Sequence, residues 1–307
     1  MGGFSVAIVG AGALGCVYGA RLARFGSCDV SVVARTAGPR RVERLERVDD
    51  GEVLLWDVPD QVTTPPAGTD VILVFVRYEQ LLQVPARVAE SAAPVVMMTP
   101  MMPQDHEALS QALPGRLLTG MPSVVSYRNG HGATRYWLPR AATTRLEPGP
   151  HPELAQRLVE HLTRAEISAA VDPDVLGRNV ATTVSFIPLT MALDVAGGID
   201  PLLADHALLD RALDAAAEGR ELGRTVGKAE PWASLLLRFV GPHMLRMGIG
   251  LARSRAPEAV AYVEEHFGRK LHAQNVAMAA RMIELAESKG VPTPALRELL
   301  ARMSTEA

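Results

Sequence analysis

Lysine is nearly missing from this 307-residue chain. Of 31 basic residues only Lys228, Lys270 and Lys289 are lysine, and residues 1–227 contain none. Chemistry that needs an ammonium group before residue 228 is excluded. Cysteine is equally scarce: Cys16 and Cys28 are the only two. Two such residues make neither a disulfide framework nor a zinc site, and they read as small core residues in a reducing compartment. Aromatic residues amount to 5% against 48% apolar, so the core is aliphatic. The net charge of −3 gives no bulk attraction to nucleic acid or to an anionic membrane. No apolar run reaches the length that spans a bilayer. The chain enters a strand almost at once, which leaves no place for a signal peptide. A cytoplasmic protein is expected. The eight histidines show no ligand spacing with Cys, Asp or Glu, so no metal is expected.

What is present begins at Ser5. Val6, Ala7, Ile8 and Val9 read as a buried parallel strand. Gly10-Ala11-Gly12-Ala13-Leu14-Gly15 follows at once, Cys16 to Phe25 reads as a helix ended by Gly26, and Val30 to Ala34 reads as the next strand. This is G-x-G-x-x-G between strand and helix, the dinucleotide-binding arrangement. Gly10 allows the tight turn, Gly12 lets the backbone approach a diphosphate, and Gly15 lets helix and strand pack closely. The diphosphate then meets N–H groups at the positive end of the helix, at Ala13 and Leu14.

Dinucleotide enzymes that use NAD place Asp or Glu at the end of the second strand, to accept from the ribose 2′-hydroxyl. Arg35 stands there, with Arg40 and Arg41 close behind. A guanidinium suits a 2′-phosphate through paired donors. NADP(H) is therefore favoured over NAD(H). The alternative is that these arginines form a solvated face.

Further along, Thr36 to Asp49 reads as a short charged helix and Glu52 to Val58 as a strand. Asp70 to Val76, Pro94 to Thr99 and Leu117 to Ser123 read as buried strands by length and β-branched content. Tyr127 to Arg145 reads as antiparallel strands, with Asn129-Gly130 as a hairpin turn. His151 to Arg164 reads as a helix and Ile167 to Val171 as a last strand. Asp172-Pro173 marks a boundary. Beyond it the pattern is helical: Leu202 to Val226, Pro231 to Gly248, Pro257 to Lys289 with a break near Gly268, and Ala295 to Met303. The expected fold is α/β. A doubly wound Rossmann-type sheet over residues 1–172 precedes an all-α substrate and dimerisation domain over residues 173–307. A small-molecule substrate would bind between the two domains. The long apolar helices leave a face that a homodimer would bury.

The glycine loop with Tyr18-Gly19 resembles the opening of the ketopantoate reductase family. Arg35 ends the second strand as in that NADPH-dependent family. Arg77 and Gln80 resemble a basic residue and a glutamine after the fourth strand. Pro188-Leu189-Thr190 resembles a turn in the first helix of the family's second domain, and Gly290-Val291-Pro292-Thr293-Pro294 resembles its C-terminal signature. The resemblance implies a Rossmann domain followed by a helical domain like that of 6-phosphogluconate dehydrogenase. It also implies hydride transfer from NADPH to a 2-keto acid.

The family's catalytic set is altered. Its general-acid lysine falls on Asn179, and no lysine precedes Lys228. Two substrate asparagines fall on Thr183 and Ile187. An asparagine near the nicotinamide falls on Pro100, a glutamate on Gln274, and a serine near His243. These replacements, with Met101 and Met102 as pocket candidates, point to a substrate larger and more apolar than ketopantoate. Asn179, Thr183, His243 and Gln274 are the candidate catalytic residues. Gly10, Gly12, Ala13, Leu14, Gly15, Arg35, Arg77, Gln80 and Pro100 are the candidate cofactor residues. Reduction of a ketone needs a proton donor. His243, Lys270 or His272 would have to serve, although Lys270 and His272 on a helix read more simply as solvated. A C=N substrate that arrives as an iminium relaxes that need. A non-redox cyclase, an isomerase or an NADP(H)-binding sensor on the same scaffold is the other reading.

Overall fold

The computed structural model describes residues 3–230, 241–255, 257–267 and 269–305. The apolar run at the start forms β1 (Phe4–Val9), the glycine loop leads into α1 (Ala13–Arg24), and β2 (Cys28–Val33) pairs parallel with β1. A strand flanked on both sides by parallel partners needs apolar residues on both faces, and Val6 to Val9 are all buried.

The next segment corrects the expectation of a helix over residues 36–49. It is a strand, β3 (Arg41–Arg47), in an antiparallel hairpin with β4 (Val53–Val58). Val42 and Arg44 are exposed while Glu43 and Leu45 are buried, which is the period of a strand. The charge at Glu43 disguised that alternation, because a carboxylate stands on the buried face.

The short β5 (Gln61–Val62) and β6 (Val71–Val74) follow, then a 3₁₀ turn over Tyr78–Gln83, α2 (Val84–Arg87), β7 (Val95–Met97), α3 (Pro103–Ala112) and β8 (Leu117–Met121). β9 (Val125–Arg128) and β10 (Thr134–Trp137) form the expected hairpin around Asn129-Gly130. β11 (Thr144–Leu146), α4 (Pro152–Arg164) and β12 (Ala169–Val171) complete this part. The strands make two sheets. One runs β12-β11-β8-β7-β6-β1-β2-β5 and the other β4-β3-β10-β9. In the first, the chain passes from β1 to β2 on one side and to β6 on the other. β1 is thus the switch point, where open α/β sheets bind ligands beyond the carboxyl ends of the strands.

The second sheet lies on α1. Arg21 of that helix is fully buried. Its Nε donates to Ala165 O at 2.7 Å, its Nη1 to Glu52 at 2.9 Å and to the Tyr136 hydroxyl at 3.1 Å, and its Nη2 to Glu166. One guanidinium therefore ties α1 to the β3–β4 hairpin, to β10 and to the end of α4.

After β12 the chain is helical. α5 (Val175–Ala196), α6 (Ile199–Ala204), α7 (His206–Val226), α8 (Pro242–Arg255), α9 (Pro257–His266), α10 (His272–Lys289) and α11 (Pro294–Thr305) follow in order. The single helix expected over 202–226 is two, because Asp205 ends α6 and caps α7, accepting from Leu208 N at 2.9 Å. Residues 231–240 of the expected 231–248 helix lie outside the described residues. α5 is 22 residues long and apolar enough to cross a membrane by length and composition alone, where no such run was expected, and most of its apolar stretch is buried within the protein.

Two compact units result. Residues up to Pro100 with Asp105–Val175 form one, and Met101–Gln104 with the residues from Leu176 onward form the other. In the helical unit, Gly219 and Gly223 of α7 and Gly227 just past its end lie along α5. A Cβ at Gly219 would lie 2.1 Å from Val184 O, one at Gly223 3.0 Å from Ala181 O, and one at Gly227 2.4 Å from the backbone of Gly177. Glu218 on the same helix accepts from Ala295 N at 2.8 Å and Leu296 N at 2.9 Å, so its carboxylate caps the start of α11.

Candidate functional site

The three glycines of the loop meet three different demands. Gly10 has φ +93°, and a Cβ there would stand 2.3 Å from Phe75 O at the end of β6. A Cβ at Gly15 would stand 2.3 Å from Gly10 O and 3.3 Å from the Ile8 side chain. Both positions need glycine for the fold itself. Gly12 does not. Its backbone is extended (φ −74°, ψ −169°), it is exposed, and a Cβ would meet nothing within 4 Å. Neither conformation nor neighbours explain a glycine there. Open space at the start of a helix with no acid in its first turn suits an anionic ligand that needs close backbone approach. The amides of Ala13, Leu14 and Gly15 belong to the first turn, where intrahelical acceptors are lacking.

The other cofactor candidates stand along the same carboxyl edge of β7-β6-β1-β2. β2 ends at Val33, and Arg35 sits in the bend after it, exposed and without a hydrogen bond or ion pair among the described residues. Arg40 differs, since it pairs with Asp60 through side chain (3.6 Å) and backbone (3.0 Å). Arg77 precedes the 3₁₀ turn after β6, and its carbonyl accepts from Gln80 N at 2.9 Å. The Tyr78 hydroxyl donates to buried Asp105. Thr99 Oγ1 donates to Val76 O at 2.6 Å, which joins the ends of β6 and β7 and fixes Pro100 beside them. The loop thus brings Gly10, Gly12, Ala13, Leu14, Gly15, Arg35, Arg77, Gln80 and Pro100 to one edge of one unit.

Cys16 lies one turn into α1 and is fully buried. Burial, with Glu43 adding to it, pushes its thiol up to about 11, so it stays protonated and is no nucleophile.

The substrate-side candidates lie in the helical unit. Asn179 is on α5, 3% exposed, and its Nδ2 has no hydrogen-bond partner among the described residues. Its Oδ1 accepts a long bond from Thr183 Oγ1 at 3.5 Å. A buried amide donor left unmade costs about 1–3 kcal/mol and is relieved by any acceptor a ligand brings. Gln274 lies on the first turn of α10. His243 falls in α8, and its side chain lies outside the described residues. Met101 and Met102, expected to line a pocket, are instead 1% and 0% exposed and group with the helical unit. Apolar side chains at a strand end were as well suited to a core, and the core took them.

One cluster departs from the solvated reading of His272. Its Nδ1 lies 3.0 Å from Oδ2 of buried Asp194. Asn275 Nδ2 reaches the same oxygen at 3.5 Å, and Thr190 Oγ1 meets Asn275 Oδ1 at 3.2 Å. The carboxylate holds the Nδ1 edge of the imidazole. No local sequence signal announces it, because Asp194 and His272 are on helices 78 residues apart. Among the described residues no group of His, Cys, Asp and Glu is arranged to hold a metal.

Residues 6–143 match the family model for ketopantoate reductase PanE/ApbA. No curated protein sequence matches the chain. Among solved structures, it is similar to 2-dehydropantoate 2-reductase from Geobacter metallireducens, with TM-score 0.70, 16% identity and coverage of 99% of this chain and 100% of that one. It is similar also to a PanE/ApbA family ketopantoate reductase from Ralstonia eutropha, with TM-score 0.68, 20% identity and coverage of 98% and 97%. D-mandelate dehydrogenase, in a ternary structure with NADH and anilino(oxo)acetate, matches with TM-score 0.65, 13% identity and coverage of 98% and 97%. These likenesses establish the fold: an N-terminal mixed sheet with helices, followed by a helical region, as in ketopantoate reductases.

Proposed function

We propose that this chain is a divergent ketopantoate-reductase-like enzyme that uses NADPH to reduce a C=O or C=N group in a substrate larger and more apolar than ketopantoate. The observation that carries the reading is Gly12, a glycine that the fold does not require and that opens the start of α1 to a diphosphate. Bound there, NADPH would supply the hydride. Gly10 and Gly15 shape the turn, the first-turn amides of Ala13 and Leu14 hold phosphate oxygens, and unpaired Arg35 takes the 2′-phosphate. Arg77, Gln80 and Pro100 border the same edge.

On the substrate side the absent lysine divides two tasks that one group would otherwise combine. Asn179 Nδ2 donates a hydrogen bond to the substrate's oxygen or nitrogen but has no proton to give. His272 does not supply the proton, because Asp194, which holds its Nδ1, stands fifteen residues along α5 from Asn179, about 22 Å away. A C=N substrate that arrives as an iminium, already protonated, is therefore favoured. Thr183 orients Asn179, and Gln274 and His243 complete the candidate set. Ile187 and Pro100, where the family resemblance implies asparagine, favour an apolar substrate. The fold likeness to a protein that holds anilino(oxo)acetate, an aryl-bearing 2-oxo acid derivative, supports that choice.

The second reading, a non-redox cyclase or isomerase on the same scaffold, is favoured by the same missing ammonium group. Loss of 340 nm absorbance decides between them. NADPH and NADH are each titrated, then turned over with a panel of small and bulky 2-keto acids and cyclic imines. The proposal expects NADPH to be oxidised with bulky members. Tight NADPH binding with no oxidation across the panel would favour the non-redox class. Cytoplasmic location and a homodimer remain parts of this proposal.

A further inference from the structure

We infer that Arg41 and Arg128 form a paired-guanidinium seat for a phosphate group at the N-terminal end of α1. The inference rests on the dinucleotide reading above and deepens it. The inward face of the second sheet runs along α1 in a readable order. Arg41, Glu43 and Arg128 lie near enough to the Cys16 thiol to bear on its charge, Trp56 packs on Gly19, and Glu52 and Tyr136 hold Arg21. Sheet and helix are thus in register, and the Arg41 end lies at the start of the helix. Arg128 arrives from β9, paired with Thr134 of β10.

Glu43 organises the pair. Its side chain is 6% exposed, while those of Arg41 and Arg128 are 38% and 42% exposed. Oε1 of Glu43 accepts from Arg128 Nη2 at 2.5 Å and from Thr134 Oγ1 at 3.1 Å, and Oε2 faces Arg41 Nε at 3.4 Å. One buried carboxylate needs one cation for neutrality, yet two are supplied. Each guanidinium spends part of its donor fork on Glu43 and keeps the rest for the surface. The cluster carries one net positive charge, beside a helix start with no acid in its first turn. A phosphate dianion fits two such forks, where a carboxylate substrate would fill only one. The dinucleotide has two sources of that chemistry, the 2′-phosphate and the diphosphate.

The test is calorimetric titration of the full chain with NADPH, NADH and adenosine 2′,5′-bisphosphate, in wild type and in Arg41→Gln, Arg128→Gln and Arg40→Gln. The last is a control on an exposed arginine paired elsewhere. Weakening of at least about 10-fold in both seat variants, with Arg40→Gln unchanged, supports the seat. Loss confined to NADPH and the bisphosphate assigns it to the 2′-phosphate, and equal loss for NADPH and NADH assigns it to the diphosphate. Arg128→Lys keeps a cation against Glu43. It should keep the wild-type melting temperature while still weakening binding, which separates recognition from folding. If folded seat variants bind every nucleotide as wild type does, the seat is wrong and the cofactor reading stands. If wild type binds neither dinucleotide, the cofactor reading falls and takes the seat with it.

Discussion

Alanine placed in turn at Gly10, Gly12 and Gly15 should separate folding from binding within one six-residue loop. At Gly12 the added methyl meets nothing within 4 Å and the backbone is already extended. Two small effects oppose there. A less flexible unfolded chain gains about 0.4–1 kcal/mol, and alanine is a poorer N-cap than glycine by a similar amount. Stability should therefore stay within about 1 kcal/mol of wild type. NADPH binding should not survive so well. A methyl in the diphosphate's place removes one or two charge-assisted hydrogen bonds of about 1.5–3 kcal/mol each, a loss of about 100-fold in affinity. Gly10→Ala is the reverse case. Its φ of +93° and the 2.3 Å approach to Phe75 O combine backbone strain of about 1–3 kcal/mol with overpacking of about 1–3 kcal/mol. Gly15→Ala carries the overpacking alone. Urea melts read the stability and fluorescence titration reads NADPH. Gly12→Ala binding NADPH like wild type would refute the reasoning, and so would Gly12→Ala unfolding as readily as Gly10→Ala.

Arg35→Asp should lower NADPH affinity by about 100-fold and spare NADH, since it removes guanidinium donors from the 2′-phosphate; an unchanged preference in paired titrations would end the NADPH assignment. Asn179→Leu should cut turnover by at least about 10-fold with NADPH affinity intact, because it removes the buried donor offered to the substrate; a fully active Asn179→Leu would remove it from the site. Arg21→Met should destabilise by about 3 kcal/mol in urea, the low end for a broken buried pair, because Glu52 and Glu166 retain access to water. Alkali should weaken the fold in a defined window. Burial raises Tyr18 and Tyr136 from 10 to about 12, and Cys16 and Cys28 from 9 to about 11. The unfolded chain therefore loses these protons first. Stability is full below pH 9 and falls as pH rises toward 12. A chain equally stable at pH 8 and pH 11 would contradict that burial.

The loop from β1 to β2 was legible because each of its signals is local: an apolar run, glycines at fixed spacing, an arginine at the strand end. The same holds for the Asn129-Gly130 hairpin. The β3 strand was not legible, because Glu43 stands on its buried face and neighbouring Arg41 with distant Arg128 makes that tolerable. Arg128 comes from 85 residues away, so no window of sequence contains the cluster. The glycines of α7 spaced by four read as weak helix positions until α5 is laid against them. The dyad of Asp194 and His272 is hidden in the same way. Asn179 could be named from the resemblance, but an amide left without a partner among the described residues is a property of packing alone.

Whether a hydride moves at all is tested most directly by isotope transfer. The protein is incubated with NADPH carrying deuterium at either face of the nicotinamide C4 and with a bulky, apolar 2-keto acid, and the product is examined by mass spectrometry. The account predicts deuterium on the former carbonyl carbon from one of the two labelled cofactors and none from the other. NADPH that binds while neither label reaches the substrate would contradict it.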